Sequence, residues 1–276
     1  MVFDFSTPVV LFDIDGTITA PRRLITPLMI STLCKLSEKA HIGLVTGSPV
    51  SLIIEQLDPL FESAPDSVTE SIDLLPCNGT QRYYWDVDES KVTNIGSVSM
   101  RDKLGDGIYQ RLLQEVQKLQ AEFADMSALL NIPLCGNFID YRESLLNWCP
   151  IGRCANFDDR NIFIEADAAH KIRDKLITKL RSALANTQEI VIKYGGQTSF
   201  DIFPVGWDKT FCLNEFGPAP IWFVGDSCHP GGNDFELYEE LKDVGRSFVT
   251  RRPEETVEII NSKIIPQINE YLKTLD

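Results

Sequence analysis

The chain has 276 residues, with 26 Lys and Arg against 40 Asp and Glu, a net charge of −14. That acidity argues against nucleic acid and anionic membrane as partners, because both need a broad basic footprint. With 43% hydrophobic and 24% charged residues the chain can bury a proper core, and its length suits one large domain or two modest ones. A small anionic ligand stays open, because a pocket can carry a field opposite to that of the whole molecule.

Residues Met1 to Pro8 carry neither a basic segment nor a long apolar one, so no secretory signal is expected there. No apolar run reaches the length of a membrane span. Seven cysteines (Cys34, Cys77, Cys135, Cys149, Cys154, Cys212, Cys228) form no Cys-x-x-Cys pair, and His41, His170 and His229 lie far apart. A structural zinc site is therefore not expected. Reduced thiols in a cytoplasmic protein are the expectation.

In chain order, residues 9–12 read as a buried strand bounded by Pro8 and Asp13. Residues 26–39 read as a helix, with Thr26 as N-cap, Pro27 in the first turn, and Leu28, Ile30, Leu33 and Leu36 at helical spacing. A second strand at 42–45 and a second helix at 50–57 continue the alternation, which predicts a parallel sheet with helices on its faces. The middle differs. Residues 81–87 and 91–97 could pair, a long helical stretch covers 104–130, and strand-like runs follow at 137–142 and 145–149. Residues 158–184 are mainly helical with a break expected near the start, and two more strands fall at 190–194 and 199–203. The first pattern returns with a strand at 221–224, another at 247–249, and a helix at 253–264 that Pro266 kinks or restarts. The fold class is α/β: a Rossmann-like parallel-sheet core, discontinuous in sequence (1–87 and 206–276), with an inserted α+β cap over 88–205.

The sharpest chemical signal is Asp13-Ile14-Asp15-Gly16-Thr17, directly after the first strand. In extended chain, side chains at i and i+2 point the same way, so both carboxylates can face one pocket. They fall at the carboxyl end of a strand, where open α/β sheets bind ligands. A carboxylate can attack phosphorus while a second acid moves protons, and two acids this close call for a cation such as Mg²⁺.

Strand, acid pair and Gly-Thr together resemble the haloacid-dehalogenase-like phosphotransferases. The resemblance implies that Asp13 is the nucleophile and Asp15 the acid/base. It also implies that Ser48 hydrogen-bonds a phosphoryl oxygen, Lys209 places a cation beside the transferring group, and Asp226 adds a metal carboxylate. Longer blocks resemble the eukaryotic phosphomannomutases: Thr19-Ala20-Pro21-Arg22, residues 138–142, 144–153 and 195–204, Gly206-Trp207-Asp208-Lys209, and Pro230-Gly231-Gly232-Asn233-Asp234. They run in family order from about residue 9 to about 235. By that resemblance, cap arginines Arg142, Arg153 and Arg160 hold the phosphate not undergoing transfer, with Ser199 and Asp201 as sugar and phosphate partners. Arg22 is the matching core-domain arginine. Arginine suits this work because its planar fork grips phosphate through parallel charge-assisted hydrogen bonds.

Three departures limit the transfer. The family's acid after Gly-Gly-Ser is replaced by Pro49. Its Lys-Thr after the metal aspartate is replaced by Ser227-Cys228-His229. A second cation site would fall on Tyr238, Glu240 and Asp243, none of them the usual residue. The implied activity interconverts mannose 6-phosphate and mannose 1-phosphate through a phospho-aspartate and a hexose 1,6-bisphosphate, which also serves as activator, and so supplies GDP-mannose synthesis and glycosylation. A homodimer through the cap and hexose phosphates as partners come with it. A sugar-phosphate phosphatase using the same acids is the enzymatic alternative. A sugar-phosphate sensor on a degenerate fold would have lost Asp13, Asp15, Lys209 or Asp226, and all four are present.

Overall fold

Four consecutive apolar residues, Val9–Phe12, form strand β1, and none of them is exposed to solvent. A strand that apolar on both faces belongs in the middle of a parallel sheet, and burying each side chain contributes about 2 kcal/mol. In the computed structural model, which describes residues 7–275, β1 pairs in parallel with β2 (His41–Val45) and continues through β3 (Ile72–Leu75), β4 (Gln81–Asp86) and β5 (Lys91–Ser97). Strands β6 to β9 (Ile139–Tyr141, Leu146–Trp148, Ile190–Gly195 and Ser199–Pro204) belong to a second unit, after which β10 (Ile221–Gly225) and β11 (Ser247–Val249) rejoin the first. Residues 1–6, which carry most of the expectation about a leader segment, and residue 276 lie outside the described residues. No helix among the described residues is long and apolar enough to cross a membrane.

The seven-stranded sheet has the order β11-β10-β1-β2-β3-β4-β5, parallel from β11 to β3 and antiparallel through β4 and β5. The chain moves one way from β1 and later returns to its other side with β10, so β1 and β10 flank the point where the strand order reverses. The helix Pro27–Ser37 starts as expected: Thr26 Oγ1 accepts the Met29 N–H at 3.3 Å, and Met29, Leu33 and Leu36 face the core. The next helix runs Val50–Ser63, past the expected 57, because buried Leu60 extends its apolar stripe beyond Pro59. At the other end of the chain, Ile260–Ile264 form a π-turn between the helices Pro253–Ile259 and Ile265–Leu272. That wider turn lets Pro266, which has no N–H, sit in a continuous rod instead of breaking it.

Strand β3 has no counterpart in the sequence reading, because a charge stands in its middle. Asp73 is buried and Arg82 Nη2 donates to its Oδ2 at 2.7 Å, with His41 Nε2 at 2.8 Å. Arg82 also reaches Glu215 at 3.2 Å. Burial opposes ionisation of Asp73, yet His41 and Arg82 together hold its carboxyl below the ordinary value.

The chain divides into two compact units, Met1–Ser97 with Trp207–Asp276, and Val98–Gly206. The expected boundary at 87/88 therefore moves: Lys91–Ser97 is the edge strand of the first unit, paired along its length with β4. The second unit is a four-stranded antiparallel sheet, β6-β7-β9-β8, with helices Met100–Leu130 (interrupted at Gly105), Phe157–His170 and Ile172–Ala183. Trp148, Phe200, Phe123 and Phe163 fill its core, and Trp148 Nε1 donates to Gln120 Oε1 at 2.7 Å. The break expected near the start of 158–184 falls instead at Lys171 (φ 54°, ψ 47°). The start is firmly capped by the reciprocal Asn156–Asp159 pair, whereas the Asp167 carboxylate accepts from Arg173 N and Nε, both at 2.7 Å, and so begins a new helix.

A carboxyl held below its unfolded value adds stability above the unfolded pKa and loses it as pH falls through the folded one. Asp73→Ala should therefore cost about 3 kcal/mol in urea denaturation at pH 7. Its difference from the wild type should shrink below about pH 4.

Candidate active site

Asp13 follows β1 and its N–H donates to Val224 O of β10 at 3.0 Å, so the sheet itself fixes this backbone at the switch point. Gly16 closes the turn at φ +87°, and a Cβ there would run into the Asp226 carboxylate. The residue is glycine because the chain reverses directly beside the acid of the neighbouring strand end. Lys209, 1% exposed, donates from Nζ to Asp13 Oδ1 and to Asp234 Oδ1, each at 2.5 Å. It opens the 3₁₀ turn Lys209–Glu215, where Asp208 Oδ1 accepts the Thr210 N–H at 2.9 Å. Asp234, fully buried, uses its other oxygen to accept the Ser227 N–H at 3.0 Å, which ties down the loop after Asp226.

Three carboxylates and one ammonium leave a deficit of positive charge. Asp13, Asp226 and Asp234 offer ligand oxygens within 4.8 Å of one another. Burial, reinforced by Asp234 and Asp226 and opposed by Lys209, pushes the Asp13 carboxyl well above the usual carboxylate range. Burial and the Asp234 carboxylate push Asp226 up to about 6. Burial works against the Lys209 ammonium, but Asp13 and Asp234 outweigh it and keep it charged. Hard oxygen donors held this close against their own repulsion fit a small divalent cation.

Asp15 is expected among the metal ligands, but the group of acids within 4.8 Å of one another does not include it: its Oδ1 accepts from Arg22 N at 2.7 Å and from Gln56 Nε2 at 2.8 Å. Asp234 stands in the cluster in its place. Ser48 lies just past β2, with its N–H on Thr46 Oγ1 at 3.1 Å and its carbonyl accepting from Cys77 N at 3.1 Å. Arg22 sits on the same turn as Asp15, in the left-handed region (φ 57°). Tyr238, Glu240 and Asp243 are not brought into the acid cluster. Tyr238 packs against the core beneath the Lys242 ammonium, 5.7 Å from its ring centroid, while Glu240 and Asp243 are exposed on and after the helix Phe235–Lys242.

In the second unit, strand register gathers the other candidates. Asp140, Asn147, Asp201 and Lys193 stand side by side across β6, β7, β9 and β8, on the face opposite Trp148 and Phe200. Asn147 Nδ2 donates to Asp201 Oδ1 at 2.7 Å and to Ser199 Oγ at 3.1 Å. Arg142 Nε donates to Asp140 Oδ2 at 2.9 Å, at the end of the same row. Arg160, whose guanidinium pKa is lowered by burial, reaches Thr198 Oγ1 at 2.9 Å and the Arg153 carbonyl at 3.4 Å. Ser199, Asp201 and Arg142 thus share one polar sheet face, while Arg160 binds the turn before β9 at Thr198 and the main chain of Arg153.

An acid pair after the first strand, a lysine locked onto the first acid and further acids at the switch point define a haloacid-dehalogenase-like phosphotransferase. The model of the family described as eukaryotic phosphomannomutase matches residues 29–266. Phosphomannomutase from Glycine max is 36% identical over 251 residues, covering 90% of this chain and 93% of the relative. Phosphomannomutase 1 from Mus musculus is 36% identical over 262 residues, covering 93% and 92%. Among solved structures, Plasmodium falciparum IMP-nucleotidase superposes with a TM-score of 0.64 at 13% identity, over 94% of this chain and 70% of that one, a likeness of fold alone. The chain belongs to the eukaryotic phosphomannomutase family.

Sequence reasoning missed Asp234, Gln56 and Asn147 as site residues. Asp234 lay within the Gly-Gly-Asn-Asp block and could have been found there. Gln56 and Asn147 sit in a helix and a strand with nothing but their polarity to mark them. Lys209→Met should lower stability by about 3 kcal/mol in urea, because it leaves buried carboxylates without their ammonium. Adding Asp234→Asn to that variant should recover part of the loss.

Proposed function

We propose that this protein is a phosphomannomutase, interconverting mannose 6-phosphate and mannose 1-phosphate. One observation carries the reading: a buried aspartate at the end of β1, held by Lys209 beside two further acids, in a chain that matches the family over residues 29–266. Asp13 attacks the phosphorus of a hexose 1,6-bisphosphate, the phosphorus–sugar oxygen bond breaks, and Asp15 gives its proton to the leaving oxygen. In the second half, a hydroxyl of the incoming monophosphate attacks the phospho-aspartate, the acyl phosphate bond breaks, and Asp15 takes the hydroxyl proton. Lys209 and Ser48 donate to the phosphoryl oxygens, holding charge where it develops.

Mg²⁺ held by Asp13 and Asp226, with Asp234 behind them, would supply the remaining positive charge on the transferring group. The hexose bisphosphate acts as activator because it charges Asp13 at the start of turnover. Arg142, Arg153 and Arg160, with Arg22, bind the phosphate that is not transferred, and Ser199 and Asp201 take sugar hydroxyls and phosphate oxygens. In this reading the enzyme is cytoplasmic, works as a homodimer formed through the second unit, and supplies GDP-mannose synthesis and glycosylation.

Incubation with mannose 1-phosphate, Mg²⁺ and catalytic hexose 1,6-bisphosphate should yield mannose 6-phosphate, measured by coupled assay. Stoichiometric inorganic phosphate without mannose 6-phosphate would identify a phosphatase instead. Mg²⁺ at ten times its Kd should add about 1.4 kcal/mol to the unfolding free energy. Asp226→Asn should abolish that gain.

A further inference from the structure

The helix Val50–Ser63 carries one buried polar side chain, Gln56, which is 5% exposed. Its Nε2 donates to Asp15 Oδ1 at 2.8 Å and to Thr19 Oγ1 at 3.2 Å. The amide orientation is fixed by what it faces: reversed, Oε1 would meet the carboxylate acceptor to acceptor. The Gln56 main chain binds the same segment, because its carbonyl accepts the Ile25 N–H at 2.9 Å. Local bonds also hold the segment between these two anchors: Gly16 N to Thr19 O at 2.8 Å, Thr19 Oγ1 to Ile14 O at 3.2 Å, and Arg22 N to Asp15 Oδ1 at 2.7 Å. Gln56 is thus a long-range clamp on the turn that presents Asp15 and Arg22.

Both donors to Asp15 converge on the same oxygen. Oδ1 receives the Arg22 N–H and the Gln56 amide, and Oδ2 has no hydrogen-bond partner among the described residues. A carboxylate with one oxygen doubly engaged cannot rotate without breaking both bonds, so its other oxygen keeps one direction. We infer that Gln56 is a positioning residue for proton transfer: it locks Oδ1 so that Asp15 Oδ2 is the oxygen that gives and takes the proton. The inference rests on the mutase reading above. When Asp13 attacks phosphorus and the bond to the sugar oxygen breaks, the proton on Oδ2 passes to that oxygen. In the return step the attacking hydroxyl loses its proton to Oδ2 as the acyl phosphate bond breaks.

The test uses the leaving group to separate positioning from folding. Acetyl phosphate releases acetate, which needs no proton, whereas a sugar alkoxide does. Gln56→Leu keeps the side-chain volume and removes the donor. It should lower the mutase kcat about 10- to 100-fold with KM within about threefold. The rate at which acetyl phosphate phosphorylates Asp13, followed by mass spectrometry of quenched enzyme, should stay within about threefold of wild type. Equal loss of both rates would show a general structural defect and overturn the inference, as would an unchanged mutase kcat. A wild type that forms no phospho-Asp13 from acetyl phosphate or from hexose 1,6-bisphosphate would overturn the underlying reading and the inference with it. Gln56→Asn, whose shorter amide cannot span the same gap, should behave like Gln56→Leu, and full activity in it would contradict the clamp.

Discussion

The buried contact of Lys209 with Asp13 and Asp234 is the constraint on which the site depends. An ammonium this deep is tolerable only because two carboxylates accept hydrogen bonds from it at 2.5 Å, and the carboxylates are tolerable only because of the ammonium. The three groups come from the end of β1, the turn after the second unit and the loop after β10, nearly two hundred residues apart in sequence. Their contact joins the two halves of a sheet domain that the chain builds in separate passes. It also leaves the acids under-neutralised, with Asp13 and Asp226 both pushed above their ordinary values. That imbalance is what a divalent cation would relieve.

The sheet makes this arrangement possible at low cost. The parallel strands β10, β1 and β2 end side by side, so three chain segments turn over at one edge and deliver Asp226, Asp13 and Ser48 without long loops. Where the turns must pass one another, the residue is small: Gly16 lies against the Asp226 carboxylate. In the second unit the same economy works through antiparallel register. Asn147 faces Asp201 directly across β7 and β9, and one amide holds both Asp201 and Ser199.

Much of this is legible in the amino-acid sequence. The run 9–12 is wholly apolar and ends in two acids, so both the central strand and its chemistry announce themselves. Thr26-Pro27 marks a helix start with an unambiguous cap. The losses have physical causes. β3 escaped because Asp73 breaks an apolar run, and only its partners His41 and Arg82, far off in sequence, make it a buried strand. The boundary lies ten residues beyond the sequence expectation because a hairpin that pairs with itself, 81–97, looks the same whether or not it joins a larger sheet. Asp15 was read as a metal ligand from i, i+2 spacing, which assumes extended chain. The bonds from Arg22 N and Gln56 to its Oδ1 accompany a position outside the acids that lie within 4.8 Å of one another. Gln56 and Asn147 could not be found at all, because a single amide in a helix or strand has no pattern.

The central claim is that Asp13 carries the phosphoryl group between sugars. Its most direct test is acid-quenched enzyme after brief exposure to hexose 1,6-bisphosphate and Mg²⁺, digested and read by mass spectrometry. One phosphoryl group is expected on the peptide containing Asp13, discharged when mannose 1-phosphate is added before the quench. A phosphoryl group on any other residue, or turnover in Asp13→Asn equal to that of wild type, would contradict it.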